Sequence, residues 1–228
     1  MKFLIVLIGI FMLVNPGHAE ESVLKTKQDK ISYAIGMDIG KNLKKQKIDL
    51  NPEVISQGLW DAMSDGKTLM TEQEYLETMT NFRKEMTQKQ TAQMKEAGDR
   101  NKKEGEKFIA DNKKKEGVTT TASGLQYKVV TKGTGASPKA TDTVTVHYKG
   151  TLIDGKEFDS SYSRGQPASF PVKGVIKGWT EALQLMKEGS KWQLFIPSEL
   201  AYGERGAGRD IGPHSTLIFD VELISIKK

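Results

Sequence analysis

The spacing of apolar residues changes once along the chain, near Gly117, and this change constrains the fold more than any other feature. Before it, apolar side chains recur every three or four positions; after it they alternate in short β-branched and aromatic runs broken by glycine and proline. One period places apolar residues on a helix face and the other on one side of a sheet. A chain of 228 residues has room for both as separate domains, so the expectation is an α+β protein with a helical part first and a sheet part second.

In the first part, Ile31, Ile35, Ile39 and Leu43 lie on one face of a helix. Asn51 followed by Pro52 is a helix start, with the apolar face Val54, Ile55, Leu59 and Met63 behind it and Asp65-Gly66 to end it. Thr71 and Glu74 have the spacing of a capping box, so a third helix starts at about Glu72. Tyr75, Met79, Phe82 and Met86 form its apolar seam. Beyond Met86 the apolar stripe disappears: Lys89 to Lys107 is nearly all Gln, Lys, Glu, Arg and Ala, with Gly98 and Gly105 inserted. A helix-prone segment that is polar on every face bridges solvent between domains or is disordered, and the bridging helix is the expectation for residues 87–117. Run from Thr71 to Glu116, such a helix would be roughly 65 Å long.

Residues 20–86 offer too few helices for an independent core, and association of two copies through these helices is the simplest remedy. The methionines at 37, 63, 70, 79, 86 and 94 suit such an interface or an ordinary core. At the start, Lys2, the apolar run Phe3 to Val14 and the small residues around His18 have the order of an export signal over residues 1–19, with an uncleaved anchor as the alternative. That run is shorter than the roughly 20 residues of a membrane span, so no stable span is expected. There is no cysteine, which excludes disulfides and a lipid-bearing cysteine. Net charge is +5, but the 34 basic and 29 acidic side chains are interspersed, so no stripe suits a nucleic-acid backbone.

In the second part, strands are expected at Leu125 to Val130, Thr143 to Leu152, Lys191 to Ile196 and Thr216 to Ile226. Asp154-Gly155 is a hairpin signal, read here as a turn with positive φ at both central residues. Trp179 to Met186 is the one convincing helix, with Gly189 closing it. The domain, residues 118–228, should be a curved antiparallel sheet wrapped around that helix. Aromatic residues are only 7% of the chain, yet Tyr148, Phe158, Phe170, Trp179, Tyr202 and Phe219 all fall in this part. Each taken alone reads as core; the set, with a few polar groups among it, reads as an apolar pocket. His147 and His214 have no cysteine or histidine partners at metal-ligand spacing, and Gly203 to Gly208 lacks the Lys-Ser or Lys-Thr of a phosphate loop. That stretch reads as a flexible flap after Tyr202.

The blocks VTVHYKGTL (144–152), GKEFDSS (155–161), VIKGW (175–179), LAYGERG (200–206) and TLIFDVEL (216–223), in this order, resemble the FKBP family of peptidyl-prolyl cis/trans isomerases. DKISYAIGMDIGKNL (29–43) and LNPEVISQGL (50–59) resemble its macrophage infectivity potentiator subfamily. The resemblance implies an enzyme that rotates X-Pro peptide bonds in proline-containing polypeptide clients and speeds the folding of exported proteins. It implies a homodimer made through the N-terminal helices, inhibition by macrolides of the rapamycin type, and neither cofactor nor metal. Location would be the periplasm, with the outer membrane or cell surface as alternatives.

By the same resemblance Trp179 is the pocket floor, and Tyr148, Phe158, Phe170, Val175, Ile211 and Phe219 are its walls. Ile176 joins the walls and, through its backbone N–H, acts with Asp159 and Tyr202 as the polar, catalytic contacts. Arg164 is expected to pair with Asp159 or to be solvated. Ala168 departs from the eukaryotic pattern, which has an aromatic ring there, so the pocket wall should be more open. The alternative function is a non-catalytic clamp that shelters exported chains; Trp179 and Tyr202, both present, favour catalysis.

Overall fold

The computed structural model describes residues 24–46, 48–64 and 67–228. The expected export signal and the Asp65-Gly66 turn lie outside them. The chain divides into two compact units, the first ending at Leu76 and the second beginning at Glu77.

The first unit contains α1 (Lys27–Lys45) and α2 (Pro52–Met63), followed by the opening residues of α3 (Glu72–Asn112). Thr26 starts α1: its hydroxyl accepts from the Asp29 N–H at 3.1 Å, and the Asp29 carboxylate accepts from the Thr26 N–H at 2.7 Å. The Thr26 backbone and side-chain bonds to Asp29 favour the ionised form and hold that carboxyl below its usual value. Asn51 caps α2 by accepting from Glu53 and Val54. Thr71 and Glu74 form the expected box at the start of α3, with bonds of 3.2 and 2.8 Å. Neither α1 nor α2 buries a single residue: Trp60 is 70% and Met63 78% exposed.

The second unit is built on a seven-stranded antiparallel sheet ordered β1-β2-β6-β7-β3-β4, with β5 also pairing with β3. The strands are β1 (Val118–Thr120), β2 (Gln126–Thr131), β3 (Thr143–Leu152), β4 (Glu157–Ser160), β5 (Ala168–Pro171), β6 (Lys191–Ile196) and β7 (Leu217–Lys227). β3 gives its first half to β5 and its second half to β4. Alternation along β3 and β7 turns Val144, Val146, Tyr148, Leu217, Phe219, Val221 and Leu223 to one side. Against that side lies α4 (Lys177–Leu185), burying Trp179, Ala182 and Leu183, with Met186 buried just after it. This is the expected sheet wrapped around one helix.

Three local expectations are corrected. In the hairpin after β3 only Gly155 has positive φ, at +86°. The Gly155 N–H donates to the Leu152 carbonyl and the Leu152 N–H to the Lys156 carbonyl, a three-residue loop whose last position alone needs the left-handed region. Gly189, at φ +84°, does not close α4: Met186 is already extended, and the glycine serves the turn into β6. Finally, the second half of α3 does not present polar residues on every side. Gly98, Gly105 and Asn112, seven apart, are buried against the sheet domain, with Asn101 and Phe108 between them on the same face. That seam escapes a search for apolar spacing because it is made of glycine and amide side chains.

Candidate functional site

Five elements of the second unit, α4 and four strands, meet at one cavity of about 630 Å³. α4 supplies Trp179 at its floor, 4% exposed, held between sheet and loops because Ala182, Leu183 and Met186 anchor the same helix face. Around the indole stand the edges of three rings: Tyr148 from β3 at 5.3 Å between centroids, Phe219 from β7 at 5.2 Å and Phe170 from β5 at 5.9 Å, all near perpendicular. Phe158 from β4 packs edge-on to Phe219 at 5.5 Å. Edge-to-face packing favours fixed ring positions over a loose apolar cluster. Gly150 makes room for it, since a Cβ there would come within 2.7 Å of both the Phe158 and Phe219 rings.

The polar groups are few and placed by backbone pairing. Gly150 of β3 is opposite Asp159 of β4, which brings the carboxylate beside Tyr148. The Tyr148 hydroxyl donates to Asp159 Oδ2 at 2.5 Å, Arg164 Nη2 donates to that hydroxyl at 2.7 Å, and Arg164 Nη1 closes the triangle on Asp159 Oδ1. The expected pairing of Arg164 with Asp159 is therefore present, and it includes Tyr148 as well. Burial pushes the Asp159 carboxyl up, but the Tyr148 hydroxyl and the Arg164 guanidinium outweigh it and hold the group below the usual carboxylate range. Burial and the bond to Asp159 push the Tyr148 phenol up. At neutral pH the triangle is one anion, one cation and one neutral hydroxyl. Ser161 locks this corner by accepting from the Tyr148 N–H at 2.8 Å, while its own N–H donates to the Tyr148 carbonyl at 2.9 Å.

Ile176 is the residue before α4; its carbonyl accepts from Trp179 and Thr180, each at 3.0 Å, and among the described residues its N–H has no acceptor. Tyr202, in the loop between β6 and β7, is 41% exposed, with no hydroxyl partner among the described residues. Val175 and Ile211 complete the apolar lining. All ten residues expected to form the pocket thus line one cavity. Ala168, paired with Val146, packs on the core and does not line it.

Gly174, Ala207, Gly208, Arg209 and Asp210 also line the cavity and were not anticipated. Four of them precede Ile211, so adjacency to a recognised wall residue was the available signal. The stretch expected to be a flap is tied: the Ala207 N–H donates to the Ile211 carbonyl at 2.8 Å and the Ile211 N–H returns the bond at 3.2 Å. Just beyond it the Asp210 carboxylate meets Lys156 Nζ at 2.7 Å.

An apolar cup with a handful of fixed polar groups and no nucleophile beside a base suits an apolar residue and a reaction in which no bond is broken. Comparison with known proteins agrees. A family model described as FKBP-type peptidyl-prolyl cis-trans isomerase matches residues 135–224, and the model of the domain amino-terminal to it matches residues 28–129. The chain is 47% identical over 222 residues to the outer membrane protein MIP of Legionella longbeachae, covering 97% of this chain and 95% of that one. It is 48% identical over 217 residues to the peptidyl-prolyl cis-trans isomerase Mip of Coxiella burnetii, covering 95% and 94%. The crystal structure of FkpA from Escherichia coli superimposes with a TM-score of 0.69 at 42% identity, covering 89% of this chain and 98% of that one. The protein belongs to the FKBP-type peptidyl-prolyl cis-trans isomerase family and is an enzyme of that type. Its N-terminal helices belong to the same two-part, Mip-like arrangement.

Proposed function

We propose that the cavity over Trp179 is where the isomerase takes up the proline ring of an X-Pro segment, with Asp159, Tyr202 and the Ile176 N–H as its polar, catalytic contacts. The observation that carries this reading is the cup itself: three aromatic rings packed near-perpendicular around a buried indole, with few polar groups in the lining. Rotation about the prolyl bond is opposed by amide resonance, with a barrier of roughly 18–20 kcal/mol. The planar amide is more dipolar than the twisted one, so transfer from water into an apolar cup disfavours the ground state more than the transition state. A difference of about 4 kcal/mol already accelerates the reaction roughly a thousandfold. The Tyr202 hydroxyl and the Ile176 N–H, having no partners among the described residues, are available to hold carbonyls that flank the proline. Asp159 is engaged by Tyr148 and Arg164, which lower its basicity, so it orients the wall and the twisted amide and does not act as a general base.

The clients are exported, proline-containing polypeptides, and the envelope of the cell is the place of action; the relative named as an outer membrane protein supports this. The exposed apolar faces of α1 and α2 support pairing with a second copy, which would give two isomerase sites to one client and so a chaperone role by avidity. The deciding experiment is isomerisation of a chromogenic X-Pro peptide by the full chain, by Tyr202→Phe and Asp159→Ala, and with rapamycin added. Acceleration that falls with each change supports the site. Acceleration untouched by all three places the chemistry elsewhere, and none from a folded protein leaves the clamp.

A further inference from the structure

The second half of α3 contacts the loop that follows the pocket wall. Gly98 lies against Pro213 and His214, where a Cβ would be 3.1 Å from Pro213 Cβ and 3.3 Å from His214 Cδ2. One turn further on, Asn101 Nδ2 donates to the Pro213 carbonyl at 2.8 Å and reaches the Ser215 hydroxyl at 3.4 Å. At Gly105 a Cβ would collide with the Thr216 hydroxyl. At the end of the helix the Asn112 side chain donates to Gln126 Oε1, and Gln126 Nε2 donates back to the Ile109 carbonyl, each at 2.9 Å. A helix that only spaced two domains would need none of this.

The bond from Asn101 falls at a strained point. His214, the residue after Pro213, is the one non-glycine among the described residues with positive φ, at +56°. A side chain in that region is tolerated when its surroundings over-determine it. Here the His214 N–H donates to the Gly203 carbonyl at 2.8 Å, and Gly203 follows Tyr202 directly. Asn101, Pro213, His214 and Gly203 therefore form a short relay of two hydrogen bonds and one peptide unit, from the helix to the residue that follows Tyr202 in the chain.

We propose that the second half of α3 braces the pocket rim and that Asn101 is a positioning residue for Tyr202, acting through the Pro213–His214 backbone. The proposal rests on reading the cavity as the prolyl site. With Asn101 in place, the 203–214 loop is closed at both ends and the Tyr202 hydroxyl is held at the cavity mouth. Without it, the strained His214 backbone relaxes and the Gly203 bond weakens.

The test uses the full chain carrying Asn101→Ala or Asn101→Asp, the latter keeping the shape but losing the donor, with exposed Lys102→Ala as control. On an X-Pro tetrapeptide, kcat/KM should fall roughly fivefold for both Asn101 variants, about the worth of one hydrogen bond, and stay unchanged for the control. In a Tyr202→Phe background the further loss should nearly vanish, because the two residues act through one contact. Amide hydrogen exchange in 203–214 should quicken in both variants. Unchanged exchange there overturns the brace. Quickened exchange with kcat/KM unchanged, or a loss undiminished beside Tyr202→Phe, overturns the link to Tyr202. If Tyr202→Phe alone leaves the rate untouched, the reading of the site fails, while the exchange data still decide the brace. Should neither variant fold, Asn101→Gln, which keeps the donor on a longer arm, takes the same measurements.

Discussion

The helices α1 and α2 and the strands β3 and β7 carry similar densities of apolar side chains, and they treat them in opposite ways. In α1 and α2 no residue is buried and Ile35, Leu59, Trp60 and Met63 face outward, whereas in β3 and β7 Val144, Val146, Leu217, Val221 and Leu223 are fully enclosed. The sheet closes its own core because α4 fills its concave side. Among the described residues of their own unit the two helices have no such element, and a second copy would cover their apolar faces.

The sharpest break in this comparison is Trp179→Ala against Trp60→Ala. Removing Trp179 takes the floor from a packed core and should destabilise the sheet unit by about 3–5 kcal/mol, with isomerase activity lost, as read by urea unfolding and a peptide assay. Removing Trp60 should leave the sheet unit's unfolding and the peptide rate unchanged while weakening self-association, measured by sedimentation. Next in size, Ile35→Asp together with Leu59→Asp should abolish the proposed self-association, yet change peptide kcat/KM by less than about twofold, because the cavity lies wholly in the second unit. Loss of peptide activity on dissociation would break the comparison.

A smaller effect is expected from Gly155→Ala, which forces a side chain to φ +86° and should cost roughly 1 kcal/mol in the sheet unit alone. The smallest is a pH effect. The Asp159 carboxyl is lowered on folding, so its contribution is present above its unfolded value, about 3.9, and is lost only as pH falls through the lower folded value. Peptide activity should therefore be flat from neutral pH down to about 4, and the Asp159→Asn variant should lack the decline below it.

Much of this molecule was legible before its structure. Capping at Asn51 and Thr71, the long strand Thr143–Leu152 and the helix around Trp179 follow from local chemistry, and ten pocket residues follow from resemblance to a family whose blocks stand in order. Less legible were Thr26 and Asp29 at the start of α1, although their spacing matches a capping pair, and the cavity-lining residues 207–210, in which Ala207 is the one apolar side chain and no periodicity shows.

What the sequence by itself determined is the three N-terminal helices, the helix around Trp179 and the longer strands, with the apolar face of each, since these depend on neighbours within a few residues; the short β1 and β5 were not among them. Only the tertiary structure decided which apolar faces are covered within a unit, that Tyr148, Asp159 and Arg164 close a triangle, and that Gly98, Asn101, Gly105 and Asn112 form a seam. The reason is physical. A glycine or an amide has no preferred neighbour of its own, and its contribution appears only when a distant backbone comes close enough to exploit the missing side chain or the offered donor.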